Sequence, residues 1–274
     1  KLLKDSKKFV LVGFIDTDDV KSSIIEEQYE VQRFKNLNNL SNVIDAVVIA
    51  TPTTSHYTIA KYFLEQKKHV FIEKPITSSI EEAEELILLA NKFELVGQVG
   101  HIERFNSAYT NVKNILKPMF IEAHRLSHYP QRGTDVSVVL DLMIHDIDLI
   151  NFLGITDLSS LCNINFNPND DINKKCIINI KVDKNLELDF HVSRSNKKTQ
   201  RKIIINYGNY DITADLYNTE ISTTNNSSNI DHTIIKNDAL EMQLEHFLKK
   251  IKSEDNLIAS GTEALLALSM ANNL

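Results

Sequence analysis

Apolar and polar positions fall into two regimes along this chain. In the first regime, short unbroken apolar runs alternate with helical spacing. Residues 9–15 form one such run and stop at Asp16. A second lies in residues 43–50, where Ala46, Val47, Val48, Ile49 and Ala50 lead into Thr51-Pro52. Val70-Phe71-Ile72 precedes Glu73-Lys74-Pro75, and residues 95–99 make a fourth run. An unbroken apolar run bounded by turn residues is the pattern of a parallel strand covered on both faces. Helical stretches separate the runs: residues 19–30, residues 55–66 with Ile59, Ala60, Phe63 and Leu64 on one face, and residues 77–91. Ser78 or Ser79 is placed to cap the last of these. Glu81, Glu82, Glu84 and Glu85 load its first turns, where the helix dipole favours anions. Strand and helix alternating at this spacing predict a doubly wound parallel sheet.

The second regime is different. A helix over residues 105–116 leads to a strand at 120–126, and a long apolar stretch, 136–153, has helical character. Strands are expected at 177–182, 186–192, 202–206 and 210–215, and helices at 239–251 and 261–273. Residues 218–231 are rich in Thr, Asn and Ser and read as an exposed loop. This pattern predicts an α+β domain with a mostly antiparallel sheet. The expected division is residues 1–117 and 118–274.

Composition narrows the function. The 274 residues are 42% apolar and 24% charged, enough for two cores that need neither disulfide nor metal. A net charge of -7 and a pI near 5.7 argue against a nucleic-acid partner, which requires a basic surface. The basic cluster Lys197, Lys198, Arg201 and Lys202 reads as a solvated hairpin. Two cysteines, Cys162 and Cys176, lack metal-site spacing and read as free thiols of a reducing, cytoplasmic compartment. No apolar run approaches the ~20 residues of a membrane helix.

Candidate chemistry gathers at the strand ends. Asp16 follows the first run, where a dinucleotide-binding sheet places the acid that binds the adenosine ribose. An acid there repels a 2′-phosphate and favours NAD over NADP; the plainer alternative is a turn acid. No G-x-G-x-x-G occurs, and Gly13 is the only glycine before Gly97. That fingerprint lies about 20 residues before the ribose acid, so the first strand and its phosphate loop are expected to precede residue 1. Thr51, Pro52, Thr53, Thr54, Ser55 and His56 form either a ligand-facing turn or a capping cluster. Lys74, between an acid and a proline, is either a solvated lysine or an oriented one. A cationic nicotinamide beside it would favour loss of its proton. Asp141 and His145 are spaced to share a face of an otherwise apolar helix, a placement that is costly unless they are paired or used. Asp146 and Asp148 add acids, but no further ligand has diagnostic spacing, and no metal is expected.

Four motifs occur in order: Ala50-Thr51-Pro52-x-x-x-His56, Glu73-Lys74-Pro75, Gly100-His101-x-x-Arg104-Phe105-Asn106, and Asp141-x-x-x-His145-Asp146-x-Asp148. Together they resemble the glucose–fructose oxidoreductase / inositol dehydrogenase / MocA family. Residues 99–106 and 140–148 are most similar to the branch that oxidises C3 of UDP-N-acetylglucosamine or related UDP-sugars. The resemblance implies an α/β fold: a Rossmann-type doubly wound sheet, here lacking its first strand and glycine loop, then a substrate and oligomerisation domain. It implies that Lys74 and His145 flank the reacting hydroxyl, with Asp141 orienting or relaying. Asp16, Ala50, Thr51, Pro52, His56, Glu73 and Lys74 are expected on the NAD side. His101, Arg104, Asn106 and Arg132 are expected on the substrate side. The expected partner is a small sugar or sugar nucleotide, and the expected assembly a homo-oligomer. The competing expectation is a non-catalytic ligand-binding protein, or an inactive truncated member, on the same fold.

Overall fold

The computed structural model describes residues 1–112, 118–128, 136–155, 164–166, 171–182, 184–224, 234–254 and 257–273. In chain order the first half holds α1 (Leu2–Asp5), α2 (Asp19–Tyr29), α3 (Leu37–Ser41), β1 (Ala46–Ile49), α4 (Thr53–Glu65), β2 (His69–Ile72), α5 (Ile80–Lys92) and β3 (Gly97–Val99). A 3₁₀ turn (Ile102–Phe105) and α6 (Ser107–Val112) lead into β4 (Phe120–Leu126). A π-helical turn (Val139–Met143) runs directly into α7 (Ile144–Phe152). Then follow β5 (Ile164–Phe166), β6 (Lys175–Lys181), β7 (Glu187–Ser193), β8 (Gln200–Asn206), β9 (Asp211–Asp215), β10 (Glu220–Thr223), α8 (Ala239–Ile251), β11 (Ala259–Ser260) and α9 (Gly261–Asn273).

Two sheets result. The smaller has the order β1-β2-β3-β11, with β1, β2 and β3 parallel. The carboxyl ends of these three parallel strands open on one edge, where Ala50, Glu73 and Gly100 follow them. Ser79 caps α5 by accepting a hydrogen bond from the Glu82 amide, as its position before the acidic turn suggested. The larger sheet has the order β10-β9-β8-β4-β7-β6-β5 and is antiparallel except for the central β4–β7 pair. One face of this sheet packs Ile121, Ala123, Leu188, Phe190, Ile203 and Ile205 against α6 and α7. The strict alternation of buried and less buried residues along β4 and β7 turns the other face outward.

Several expectations change. Residues 9–15 form no strand: their sole bridge joins Phe14 to Arg33, and Val10 is 88% exposed. A strand exists through its ladder, and no ladder joins this run to β1 among the described residues. The helix expected over 105–116 splits because Asn106 is extended, at φ -67° and ψ 122°. Within 218–231, Glu220–Thr223 is a strand paired with β9 rather than loop. The C-terminal segment also departs from a division at residue 117. β11 adds an antiparallel edge to β3, and α9 packs Ala264 and Leu268 into the first core but Ala267, Met270 and Ala271 into the second. Cys176 is buried in the core of the large sheet, whereas Cys162 lies outside the described residues.

Candidate active site

The open edge of the small sheet brings the sequence motifs together. The Glu73 amide donates to the Ile49 carbonyl (2.9 Å), and the Gly100 amide to the Ile72 carbonyl (2.8 Å), so the loops after β1, β2 and β3 lie side by side. The Lys74–Pro75 peptide is cis. The Lys74 side chain reaches the π-helical turn, where Nζ donates to Asp141 Oδ1 (2.8 Å) and to the Asp141 carbonyl (2.5 Å). Both side chains keep a little exposure, 18% and 19%. The other oxygen of Asp141 accepts from Arg194 Nη2 at 3.0 Å. Arg194 is buried and also holds the Val136 carbonyl (2.9 Å). Asp141 is thus clamped between two cations that arrive from separate sheets, and it makes no recorded hydrogen bond to His145.

His145 follows the π turn on α7. Its Nδ1 is sealed from solvent and has no hydrogen-bond partner. Burial pushes its pKa well below the ordinary imidazole range, and the nearby positive charges of Lys74 and Arg125 push it the same way. The ring is therefore neutral at neutral pH. His101, at the end of β3, is buried, and both its ring nitrogens lack partners. Its Nδ1 lies 3.6 Å from Asp148. Burial lowers its pKa, and the Asp148 carboxylate opposes that fall only in part. Two imidazoles held neutral by burial, both with unsatisfied nitrogens, thus lie within the electrostatic reach of Lys74. Orphaned buried polar atoms call for an absent partner.

Asp16 is exposed, its Oδ1 accepting from the Asp18 amide (2.8 Å) and its carbonyl from Arg33 Nη2 (2.8 Å). Ala50, Thr51 and Pro52 are exposed at the end of β1. Glu73 is half-buried, and burial raises its pKa against the opposing pull of Lys74. A Cβ at Gly100 would lie 2.8 Å from Glu73 Oε2, so glycine there lets the carboxylate approach the loop after β3. Gly13, by contrast, packs against neighbouring chain: a Cβ on it would meet Phe34 at 2.4 Å and the Gln32 carbonyl at 2.5 Å.

Three expected site residues are committed elsewhere. His56 is 1% exposed, with Nε2 at 2.8 Å from the Thr51 carbonyl and Nδ1 at 2.9 Å from the Pro75 carbonyl. It ties the loop after β1 to the loop carrying Lys74. Arg104 is 1% exposed and grips Asp148 through Nε (2.8 Å) and Nη2 (2.6 Å), with Glu263 at 3.0 Å from Nη1. Buried and held by two carboxylates, this guanidinium is not presented to the open edge of the sheet. Asn106 donates to Glu103 and the Leu216 carbonyl and accepts from the Ala108 amide. Arg132 lies outside the described residues.

Sequence reasoning missed Arg194 and the arginines that neutralise the helix. Asp146 is held by Arg125, with contacts at 3.1, 3.2 and 2.7 Å, and Arg125 also donates to Glu103 at 2.8 Å. These acids are closed off from metal binding by their own arginines. The available signal was the acids themselves, since a buried carboxylate requires a buried cation. Which arginine supplies it was not in the spacing.

A sequence model described as an oxidoreductase family with an NAD-binding Rossmann fold matches residues 1–101. UDP-N-acetylglucosamine 3-dehydrogenase from Acidithiobacillus ferrooxidans is 36% identical over 141 residues, covering 51% of this chain and 45% of the relative. A solved structure of that enzyme superposes with a TM-score of 0.85 at 25% identity, over 96% of this chain and 88% of the other. Over residues 1–101 the chain matches the glucose–fructose oxidoreductase / inositol dehydrogenase / MocA oxidoreductase family. Another family relative, inositol 2-dehydrogenase from Mycolicibacterium smegmatis, is 30% identical over 136 residues, 46% of this chain and 39% of the relative. The matched sequence spans less than half the length of these curated relatives. The chain shares with that solved structure a Rossmann-like parallel sheet followed by a mostly antiparallel sheet. Among its described residues, no helix is long and apolar enough to cross a membrane.

The Arg104–Asp148 pair generates a test of how the site is held. Asp148→Ala leaves a guanidinium buried with only Glu263 opposite it, and such a loss costs about 3–5 kcal/mol. Urea unfolding is expected to show a lower midpoint with an unchanged slope. A midpoint equal to that of the unsubstituted chain would show that this pair does not hold α7 in place.

Proposed function

We propose that this chain is the working part of an NAD-dependent dehydrogenase that oxidises a secondary hydroxyl of a UDP-N-acetylhexosamine-type sugar nucleotide. The observation that carries the reading is the Lys74–Asp141 ion pair (2.8 Å), which joins two motifs from opposite halves of the chain within electrostatic reach of the neutral His145. The similarity to UDP-N-acetylglucosamine 3-dehydrogenase supports the substrate class.

The residues at the open sheet edge fit the ribose and nicotinamide ends of such a cofactor. The exposed Asp16 carboxylate is suited to the adenosine ribose and disfavours a 2′-phosphate. Ala50, Thr51 and Pro52 would line the path from β1, with Glu73 and Lys74 at the nicotinamide end. When bound, NAD supplies the acceptor for the hydride of the carbinol carbon. The chain's own part is position and the proton. An ammonium has three donors. Two from Lys74 go to Asp141, and the third is free for the substrate hydroxyl oxygen. Asp141, fixed by Arg194, aims Lys74. His145, neutral and unpartnered at Nδ1, accepts the hydroxyl proton as the carbonyl forms. In this arrangement the large sheet and α7 present the sugar, and the protein assembles as a homo-oligomer.

The test is turnover of UDP-N-acetylglucosamine, with reduced-cofactor absorbance as the signal. NAD is expected to outperform NADP. Lys74→Ala and His145→Ala are expected to lower kcat by roughly 10²–10⁴. Turnover that survives both substitutions overturns the roles, and sugar-nucleotide binding without turnover favours the ligand-binding alternative.

The pH profile gives an independent check. His145 works as a base only when neutral, and its folded pKa is depressed, so its activity is retained as pH falls through 6.5 and is lost only well below. The acid limb of kcat/KM is expected below that value. A limb centred at 6.5 would mean that the active base is an ordinary exposed imidazole.

A further inference from the structure

The outward face of the large sheet carries a cluster that the dehydrogenase chemistry does not use. β4 and β7 pair in parallel with Glu122 opposite Asp189 and His124 opposite His191. Side chains two apart on a strand share a face, so all four stand together on the side away from the core. The His124 and His191 rings stack at 4.7 Å with an interplanar angle of 17°. His124 Nε2 is 2.8 Å from Glu122 Oε1, and His191 Nε2 is 3.6 Å from the same oxygen. His191 Nε2 also lies 3.2 Å from Asp189 Oδ2 yet makes no hydrogen bond. That nitrogen and Asp189 Oδ1 are both shielded from solvent and unpartnered.

We propose that Glu122, His124 and His191 bind one divalent transition-metal ion of the zinc class, with Asp189 beside the fourth position. The donor atoms of the three ligands already lie within 4.8 Å of one another. Donors about 2.1 Å from a tetrahedral zinc sit about 3.4 Å apart, and the 2.8 and 3.6 Å separations bracket that value. Two imidazoles and a carboxylate suit zinc, nickel or cobalt rather than calcium or magnesium, which prefer oxygen. The four side chains are 20–28% exposed, open enough for an ion to enter and sheltered enough to hold it. Lys202, across β4 from His124, is turned toward Asp215 at 3.7 Å, so its charge is partly neutralised. The ion would cross-link β4 and β7, the one parallel pair in this sheet, without touching Lys74 or His145.

The test uses tag-free, chelator-treated protein and Co²⁺ as a spectroscopic probe, followed by Zn²⁺ titration calorimetry. One equivalent per chain is expected, with the visible absorption of tetrahedral cobalt and a higher Tm in Zn²⁺. His124→Ala with His191→Ala is expected to weaken binding by roughly 100-fold or more. Glu122→Gln, which keeps the side-chain shape, serves if the double variant does not fold. The proposal is overturned if the unsubstituted chain takes up no cobalt, or if the substituted chains bind Zn²⁺ as tightly as it does.

Discussion

The structure depends on the neutralisation of three acids in one apolar helical segment. Asp141, Asp146 and Asp148 lie on the π turn and α7, among residues otherwise buried in hydrocarbon. Each is met by cations from elsewhere: Asp141 by Lys74 and Arg194, Asp146 by Arg125, Asp148 by Arg104. Charges in such surroundings are tolerable only when paired and hydrogen-bonded. The pairing therefore dictates where the loop after β2, the 3₁₀ turn after β3, and strands β4 and β7 must sit. Segments far apart in sequence are fixed around one short helix, and the candidate site is the gap they leave.

That arrangement separates structural charge from chemical charge. Arg104 and Arg125 are buried, and each grips its aspartate through two nitrogens. The Lys74–Asp141 pair is different, because it retains exposure and an ammonium donor beyond those bound to Asp141. The two histidines within the electrostatic reach of Lys74 are neutral because burial disfavours their charged forms, and both keep unpartnered nitrogens. The π turn contributes directly: it carries Asp141 toward Lys74 while α7 carries the remaining acids toward the arginines. Inserted π turns recur at functional sites for this kind of reason, since the extra residue re-aims one side chain without ending the helix.

Much of the fold was legible in the sequence. β4, α8 and α9 form at the expected residues, because clean period-two or helical patterns with good caps leave little choice. The motif order pointed to the family, and Lys74 pairs with Asp141 from the other half of the chain. The reading was weaker where a local pattern depends on a distant neighbour. Residues 9–15 have the composition of a buried strand but no ladder. Arg104 and Asn106 look like polar site residues in one dimension, yet their donors are taken by Asp148, Glu103 and Leu216.

By itself, then, the sequence determined most of the strands and helices, the two-sheet fold class, and which acids must find a partner. Periodicity and desolvation are local properties, and both can be read along a chain. Only the tertiary structure decided which cation answers each acid, that α9 walls both cores, and that Glu122 and His124 meet His191 on an outer face. Pairing across a sheet and between domains depends on register and approach, and neither is encoded in the spacing of residues along one strand or one helix.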